Sequence, residues 1–398
     1  MHCRLKFDID WPTLAWAALG PPVSSARVAD ELSYLRSVFA SEHLVFGLSV
    51  RTIFDALLAE LALPPNSPIL MTGINIQNMA DIAAVHGLRL VAVDVDPATL
   101  APRPGALLEA QAATGAGICL FTQLFGAVND IDDAAVLRDR GVLIIEDAAQ
   151  AFAGTSNRRH TGADISLFSF GPIKRRTALG GALGVFSDNS LTTRIASRLA
   201  GYPARSNAWF RTRALKYLIL KGASTPVIYR ILFRAIAAAG RDPDKVIGEA
   251  ARGFSGSSIT QAIRHRPPSR MLALLARQIR DTPEAHSRTD ICRAFLAGLP
   301  GHAVGSAAQG NSYWILPVSV SEPQQVISGL RARGFDATQG STSLRVLAPS
   351  ETPSARTLIE NVIYLPHPAA LSVSAREEMR AALFAALHLP GKKTRVER

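Results

Sequence analysis

From about residue 52 to residue 187, short apolar runs alternate with stretches of helical character, and this alternation constrains the fold more than any other feature of the chain. Residues 68–71, 88–93, 117–121 and 142–145 are mostly apolar and rich in Val, Ile and Leu. Continuous runs of this kind suit strands buried on both faces. Between them, residues 53–62, 79–86, 105–113 and 132–138 read as helices. Strand and helix in alternation imply a mostly parallel sheet with helices on both sides, a three-layer α/β/α architecture. Residues 165–170 and 182–186 read as two further strands.

The rest of the chain divides around this unit. With 398 residues, 48% of them apolar, the chain is too long for one ordinary core and has enough apolar surface for two. The expected division is a large domain over 1–200, a basic helical insertion or linker over 201–280, and a small C-terminal α/β domain over 281–390. Strands at 313–320, 344–347 and 362–365 and helices at 324–333 and 375–387 build the last of these. Residues 391–398 read as a flexible basic tail.

Charge and cysteine content narrow the function classes. The formal charge is +11, and from residue 189 to residue 241 ten Arg and Lys occur with no Asp or Glu. Cys3, Cys119 and Cys292 are far apart, so no metal-ligand spacing is present, and so sparse a set suits a reducing, cytoplasmic setting. The first residues do not read as a signal peptide, and no apolar run reaches the ~18 residues that a membrane span needs.

Three short segments carry the chemistry. In Phe168-Ser169-Phe170-Gly171-Pro172-Ile173-Lys174, an amine follows a buried strand, with a hydroxyl five residues earlier. To attack a carbonyl the amine must be partly neutral, which burial and neighbouring cations favour; Arg175 and Arg176 are the expected cations. In Glu146-Asp147-Ala148-Ala149-Gln150-Ala151, Asp147 falls at the carboxyl end of a parallel strand, where open α/β sheets place ligands. The plainer reading of Asp147 is a helix cap, and Glu146 is expected to be solvated. In Gly47-Leu48-Ser49-Val50-Arg51-Thr52, a hydroxyl and free backbone N–H groups at a helix start make an anion site, with Arg51 adding a cation. Read alone, that turn is a plain Ser/Thr cap. Neither a P-loop, a GxGxxG after a strand, nor HExxH occurs.

Taken in order, with Val93-Asp94-Val95-Asp96-Pro97, Leu124-Phe125-Gly126, Gly180-Gly181 and Tyr364-Leu365-Pro366-His367-Pro368 added, these segments resemble the DegT/StrS-type aminotransferases of the aspartate aminotransferase (fold type I) superfamily. The resemblance is close over about 45–200 and looser in the C-terminal domain. It implies pyridoxal 5′-phosphate (PLP) as cofactor, with Lys174 on the family's Schiff-base lysine and Asp147 on the carboxylate at the pyridine nitrogen. By the same resemblance Gln150 contacts the ring, Ser169 and Thr52 bind the phosphate, and Arg51 lies beside them. It further implies a homodimer with active sites at the subunit interface. The amino donor is then glutamate or glutamine and the acceptor a keto sugar, usually nucleotide-linked. Lys174 argues against the dehydrating branch, which carries His there. Three departures stand out: Val50 replaces a common Gly, residues 74–76 lack an aromatic, and the partner-subunit Asn-His-Gly segment is not evident near residues 199–202. Other PLP chemistry on the same fold, such as racemisation or elimination, and a catalytically idle PLP-binding or assembly protein both stay open.

Arg211, Arg213, Lys216, Lys221, Arg230 and Arg234 are interleaved with Leu, Ile, Phe and Tyr. A basic amphipathic helix pair of this kind lies at a membrane interface or packs on its own protein or a dimer partner, and packing is the commoner outcome. The membrane reading makes the protein peripheral at an inner membrane face, through residues 205–240. Nucleic acid is not an expected partner, since no recognition motif is present.

Overall fold

The structure, a computed structural model, describes residues 1–4, 7–152, 162–251, 259–281, 286–339 and 343–387; the expected basic tail at 391–398 lies outside them. Its centre is a seven-stranded sheet. In chain order the strands are β1 (Leu44–Gly47), β2 (Pro68–Thr72), β3 (Arg89–Val93), β4 (Ile118–Thr122), β5 (Leu143–Asp147), β6 (Ile165–Ser169) and β7 (Ala182–Phe186). Their spatial order is β1-β7-β6-β5-β4-β2-β3. The pairs from β3 to β6 are parallel, and β7 runs antiparallel to both β6 and β1.

Alternation along each strand divides the cores. Ile69, Met71, Leu120, Ile145 and Leu167 pack with the Val50–Leu61 helix on one face, while Leu70, Cys119 and Ile144 pack on the other. Both faces are therefore covered, and apolar residues are needed at nearly every position, as the uninterrupted runs predicted. The six strands expected from the sequence all form, within two residues at each end. β1 was not among them.

Two other regions complete the chain. The Ser269–Asp281 helix buries Met271, Leu272, Leu274, Leu275 and Ile279 in one core with Phe7, Leu14, Phe39, Phe168 and Phe170. Its packing belongs to the large domain. A second core, of Phe295, Leu316, Val318, Leu330, Ile363, Leu365, Met379 and Leu383, forms the C-terminal domain. There Leu316–Ser319 pairs antiparallel with Val362–Leu365. The third expected strand of that domain, Leu344–Val346, pairs instead with Ile74–Ile76, antiparallel, and ties the C-terminal part back to the first. Among the described residues no helix is long and apolar enough to cross a membrane.

Candidate active site

Parallel strands aligned side by side bring their carboxyl ends to one edge. In β5 and β6 the register sets Asp147 opposite Leu167, so Asp147 and the segment after Ser169 share that edge. Adjacent residues of a strand point to opposite faces. Glu146 and Asp147 accordingly part company. Glu146 is buried, accepting from Gln123 Nε2 at 2.9 Å and from Ser166 Oγ at 2.7 Å. It is a structural carboxylate and not the solvated one expected. Asp147, also buried, accepts from the Ala149 backbone N–H at 3.0 Å in a turn that starts no helix, so the expected helix cap does not form.

Lys174 stands in a turn closed by several backbone bonds. Its own N–H donates to Gly171 O at 2.9 Å, and the N–H groups of Ala178 and Gly180 donate to Phe170 O at 3.0 and 3.1 Å. The chain returns to β7 through Gly181, whose φ of +83° and contact with the Phe46 ring (2.9 Å from where a Cβ would stand) leave room only for glycine. A Cβ at Gly171 would lie 3.7 Å from Lys174 Cγ and 3.8 Å from Ser169 Oγ. The serine hydroxyl and the lysine stem are therefore on the same side of this turn.

The Lys174 ammonium lies 3.5 Å from the centroid of the Trp314 ring. Trp314 is fixed in turn: its Nε1 donates to Ile173 O at 2.9 Å, and a Cβ at Gly126, whose φ is +105°, would stand 2.7 Å from Trp314 N, so only glycine lets the two segments pack this closely. His367, to which no role was given, has Nε2 2.8 Å from Tyr313 O and braces the same segment. Phe125, Arg176, Leu179 and Tyr313 all hold positive φ here, a concentration of backbone strain of the kind found at functional sites.

Burial and charge tune both ionisable groups. Burial of the Lys174 ammonium brings its pKa down to about 7; Asp147 opposes that shift and Arg51 adds to it. Burial lifts the Asp147 carboxyl to about 6, against the Ala149 hydrogen bond and the Lys174 charge. The cation that acts on Lys174 is therefore Arg51. Arg175 and Arg176, expected in that role, are engaged elsewhere. Arg175 Nη1 donates to Ser312 O at 2.8 Å, and Arg176 Nη1 donates to Gln278 O and Ile279 O.

The polar side chains of the first helical turn have different partners. Ser49 caps the Val50–Leu61 helix, accepting from Thr52 N at 3.2 Å. The Thr52 hydroxyl donates to Ile263 O at 2.9 Å and is fully buried. Arg51, one residue earlier, is the side chain of this turn that acts on Asp147 and Lys174, and burial lowers its pKa to about 10. Its Nη1 donates to Asn78 Oδ1 at 2.8 Å. Arg213, from the Asn207–Ala223 helix, is a second largely buried guanidinium within electrostatic reach of Arg51, and it donates to Leu179 O. Gln150 accepts from Phe125 N at 2.9 Å through Oε1, which ties it to the Leu124–Gly126 turn.

Residues 50–216 match the DegT/DnrJ/EryC1/StrS aminotransferase family. Over that span the chain is similar to this family. The "Pleiotropic regulatory protein" of Geobacillus stearothermophilus is 30% identical over 131 residues, 32% of this chain. The chain thus aligns with only 35% of that relative's length. Solved structures extend the likeness to nearly the whole chain. The aminotransferase TlmJ from Streptoalloteichus hindustanus superposes with a TM-score of 0.69 at 19% identity, covering 97% of this chain and 99% of that one. The putative sugar aminotransferase Spr1654 from Streptococcus pneumoniae, in its apo form, gives 0.70 at 15% identity, covering 97% and 99%. DesV of S. venezuelae, in complex with a ketimine intermediate, gives 0.65 at 18%, covering 95% and 94%. The fold is therefore the fold-type-I α/β/α architecture expected from the sequence.

Trp314 and Arg213 were not singled out for the site by sequence reasoning. Trp314 stands 141 residues from the Ile173 carbonyl it binds, and nothing local marks it. Arg213 carries the signature of a basic surface helix and only the fold turns it inward.

Proposed function

We propose that this protein is a PLP-dependent aminotransferase that moves an amino group from glutamate or glutamine to a carbonyl acceptor, a keto sugar or sugar nucleotide, and acts as a homodimer. One observation carries the reading. A buried amine with a pKa near 7 and a buried carboxylate sit at neighbouring strand ends, and the amine rests on Trp314 instead of closing on the acid. The family match over 50–216 and the shared fold support it.

The residues fit the cofactor by their chemistry. PLP presents an aldehyde, a basic ring nitrogen and a phosphate dianion. Lys174 offers the amine, Asp147 the acid for the ring nitrogen, and Ser169, Arg51 and Arg213 the hydroxyl and cations that an anion requires. Arg51 acts electrostatically on both Asp147 and Lys174, and Arg213 acts on Arg51, so positive charge for a phosphate is at hand beside the amine. When bound, PLP supplies an electron-withdrawing ring that stabilises negative charge at the carbon next to the amine.

The chain's own residues then do the remaining work. Burial lowers the Lys174 pKa to about 7, so its Nζ would be able to serve as the nucleophile toward a carbonyl and as the base at the substrate's α-carbon. Asp147 Oδ would hold the ring nitrogen of the cofactor protonated. Arg51, by its positive charge, keeps Lys174 from recapturing its proton too tightly. Trp314 confines Nζ to one side of the site. The net exchange conserves atoms: the donor leaves as a keto acid and the acceptor gains its amino group.

An absorbance scan of the purified protein with PLP, before and after L-glutamate, tests this. The wild type is expected to show a visible band that glutamate shifts to shorter wavelength. Lys174→Ala is expected to show no such band. A mutant spectrum identical to that of the wild type removes Lys174 from the assignment. No change on adding either glutamate or glutamine removes transamination.

A further inference from the structure

The insertion between residues 201 and 266 contributes more than Arg213. The Asn207–Ala223 helix packs on its own protein along one line, burying Phe210, Ala214 and Tyr217. At 100° per residue, Leu215 and Ile219 then face the opposite way, between Arg211 and Lys216. Ile219 is 70% exposed. Across the turn at Ser224 and Thr225 lies the Pro226–Ala238 helix, and here the packing is slighter still. Tyr229 is its buried residue; its hydroxyl donates to Asp336, and Phe233 lies under the Arg331 guanidinium. On the far side Val227, Ile228, Ile231 and Leu232 are exposed, Val227 at 66% and Ile231 at 62%. Arg230 and Arg234, four residues apart, line one border of that aliphatic face.

We propose that these two helices lie flat on an anionic lipid bilayer, with the aliphatic face in the acyl–headgroup boundary and the bordering cations on the headgroups. Six large aliphatic side chains held out on helices stay in water without a partner at considerable cost, so some partner covers them. Charge selects which. Arg211, Lys216, Arg230 and Arg234 border the aliphatic faces, and no acidic residue occurs from 189 to 241. A second copy docked symmetrically would set this patch against itself, cation facing cation, with nothing in the segment to neutralise them. Nucleic acid would meet its phosphates at the borders but aliphatic groups at the centre, which offer no hydrogen bonds to bases. An anionic bilayer satisfies the apolar centre and the basic border together. Neither helix spans the membrane, so the attachment is peripheral.

Co-sedimentation of the full chain with phosphatidylcholine vesicles, with and without phosphatidylglycerol, tests the inference apart from the proposed activity. The expected result is retention by the anionic vesicles only. Raising salt from 0.1 to 1 M shortens the screening length from about 10 to about 3 Å, and retention is expected to fall at least ~10-fold. Arg230→Glu/Arg234→Glu and Ile228→Ser/Ile231→Ser are each expected to lower it by a similar factor, with far-ultraviolet circular dichroism and thermal midpoint unchanged, since all four side chains are exposed. No retention, equal retention by neutral vesicles, or variants that bind like the wild type would overturn the proposal. So would a fall in the lipid-free sedimentation mass of the Ile variant, which would assign the face to a second copy.

Discussion

Two turns supply the site, and they behave differently. In the turn from Ser169 to Gly181, the hydroxyl and the amine expected to act together lie on one side of Gly171, held by backbone hydrogen bonds to Phe170 and Gly171. In the turn from Gly47 to Thr52, the Thr52 hydroxyl donates to Ile263 O, and Arg51 is the side chain that acts on Lys174. The first turn is irregular, so its own bonds dictate where each side chain goes. The second begins a helix, where neighbouring residues stand 100° apart and a shift of one position changes what faces inward. A motif read on a helix start therefore identifies the turn before it identifies the residue.

Substitution separates the two turns further, and Asp147 gives the largest effect outside Lys174. Asp147→Asn keeps the shape and removes the charge. The expected loss of kcat is on the order of 10²-fold or more, the scale for losing one preorganised electrostatic partner. The Lys174 midpoint also shifts. Asp147 raises the Lys174 pKa, so its removal lowers it below about 7. Titrating Lys174 labelling by an amine-reactive reagent, read by mass spectrometry, checks this without cofactor. In the wild type, labelling should be half-maximal near pH 7 and fall off below it, as the amine becomes protonated. A midpoint near 10.4, the value of a free lysine, would mean that the amine is not enclosed.

Arg51→Ala is expected to act in the opposite direction on the same titration. Arg51 lowers the Lys174 pKa, so its loss raises the labelling midpoint. It should also weaken PLP binding by roughly 10- to 100-fold, the scale of a charge-assisted hydrogen bond, measured by equilibrium dialysis. A raised midpoint with unchanged PLP affinity would show that Arg51 tunes the lysine without holding the anion.

The sheet was legible because its central strands are covered on both sides: a continuous apolar run of that length suits little besides a strand with no solvent face. β1 was missed because it is four residues long, lies at the sheet edge and is antiparallel, so neither length nor a βαβ rhythm marks it. The positions of Asp147, Ser169 and Lys174 at one sheet edge were legible because the strands that carry them there were themselves legible. Leu344–Val346 was recognised as a strand but joined to the wrong domain, because three residues carry no information about their partner. Trp314 and Arg213 were invisible for a related reason. Their roles depend on contacts between distant parts of the chain, and neither a Trp at a strand approach nor an Arg on a basic helix is unusual by itself.

Thr52→Val makes the smallest change and tests the comparison most directly. The substitution keeps the β-branched shape but deletes the hydroxyl that donates to Ile263 O, leaving a buried carbonyl without that partner. A loss of about 1 kcal/mol of stability is expected, the usual net value of one hydrogen bond, read from chemical denaturation. PLP affinity should stay within about two-fold of the wild type, because in this structure the hydroxyl faces the Ile259–Ile263 helix and Arg51 faces Lys174. Were Thr52→Val to weaken PLP binding as strongly as Arg51→Ala, the turn would have to rotate on loading the site. The helix start would then resemble the lysine turn after all, with both hydroxyls on the anion.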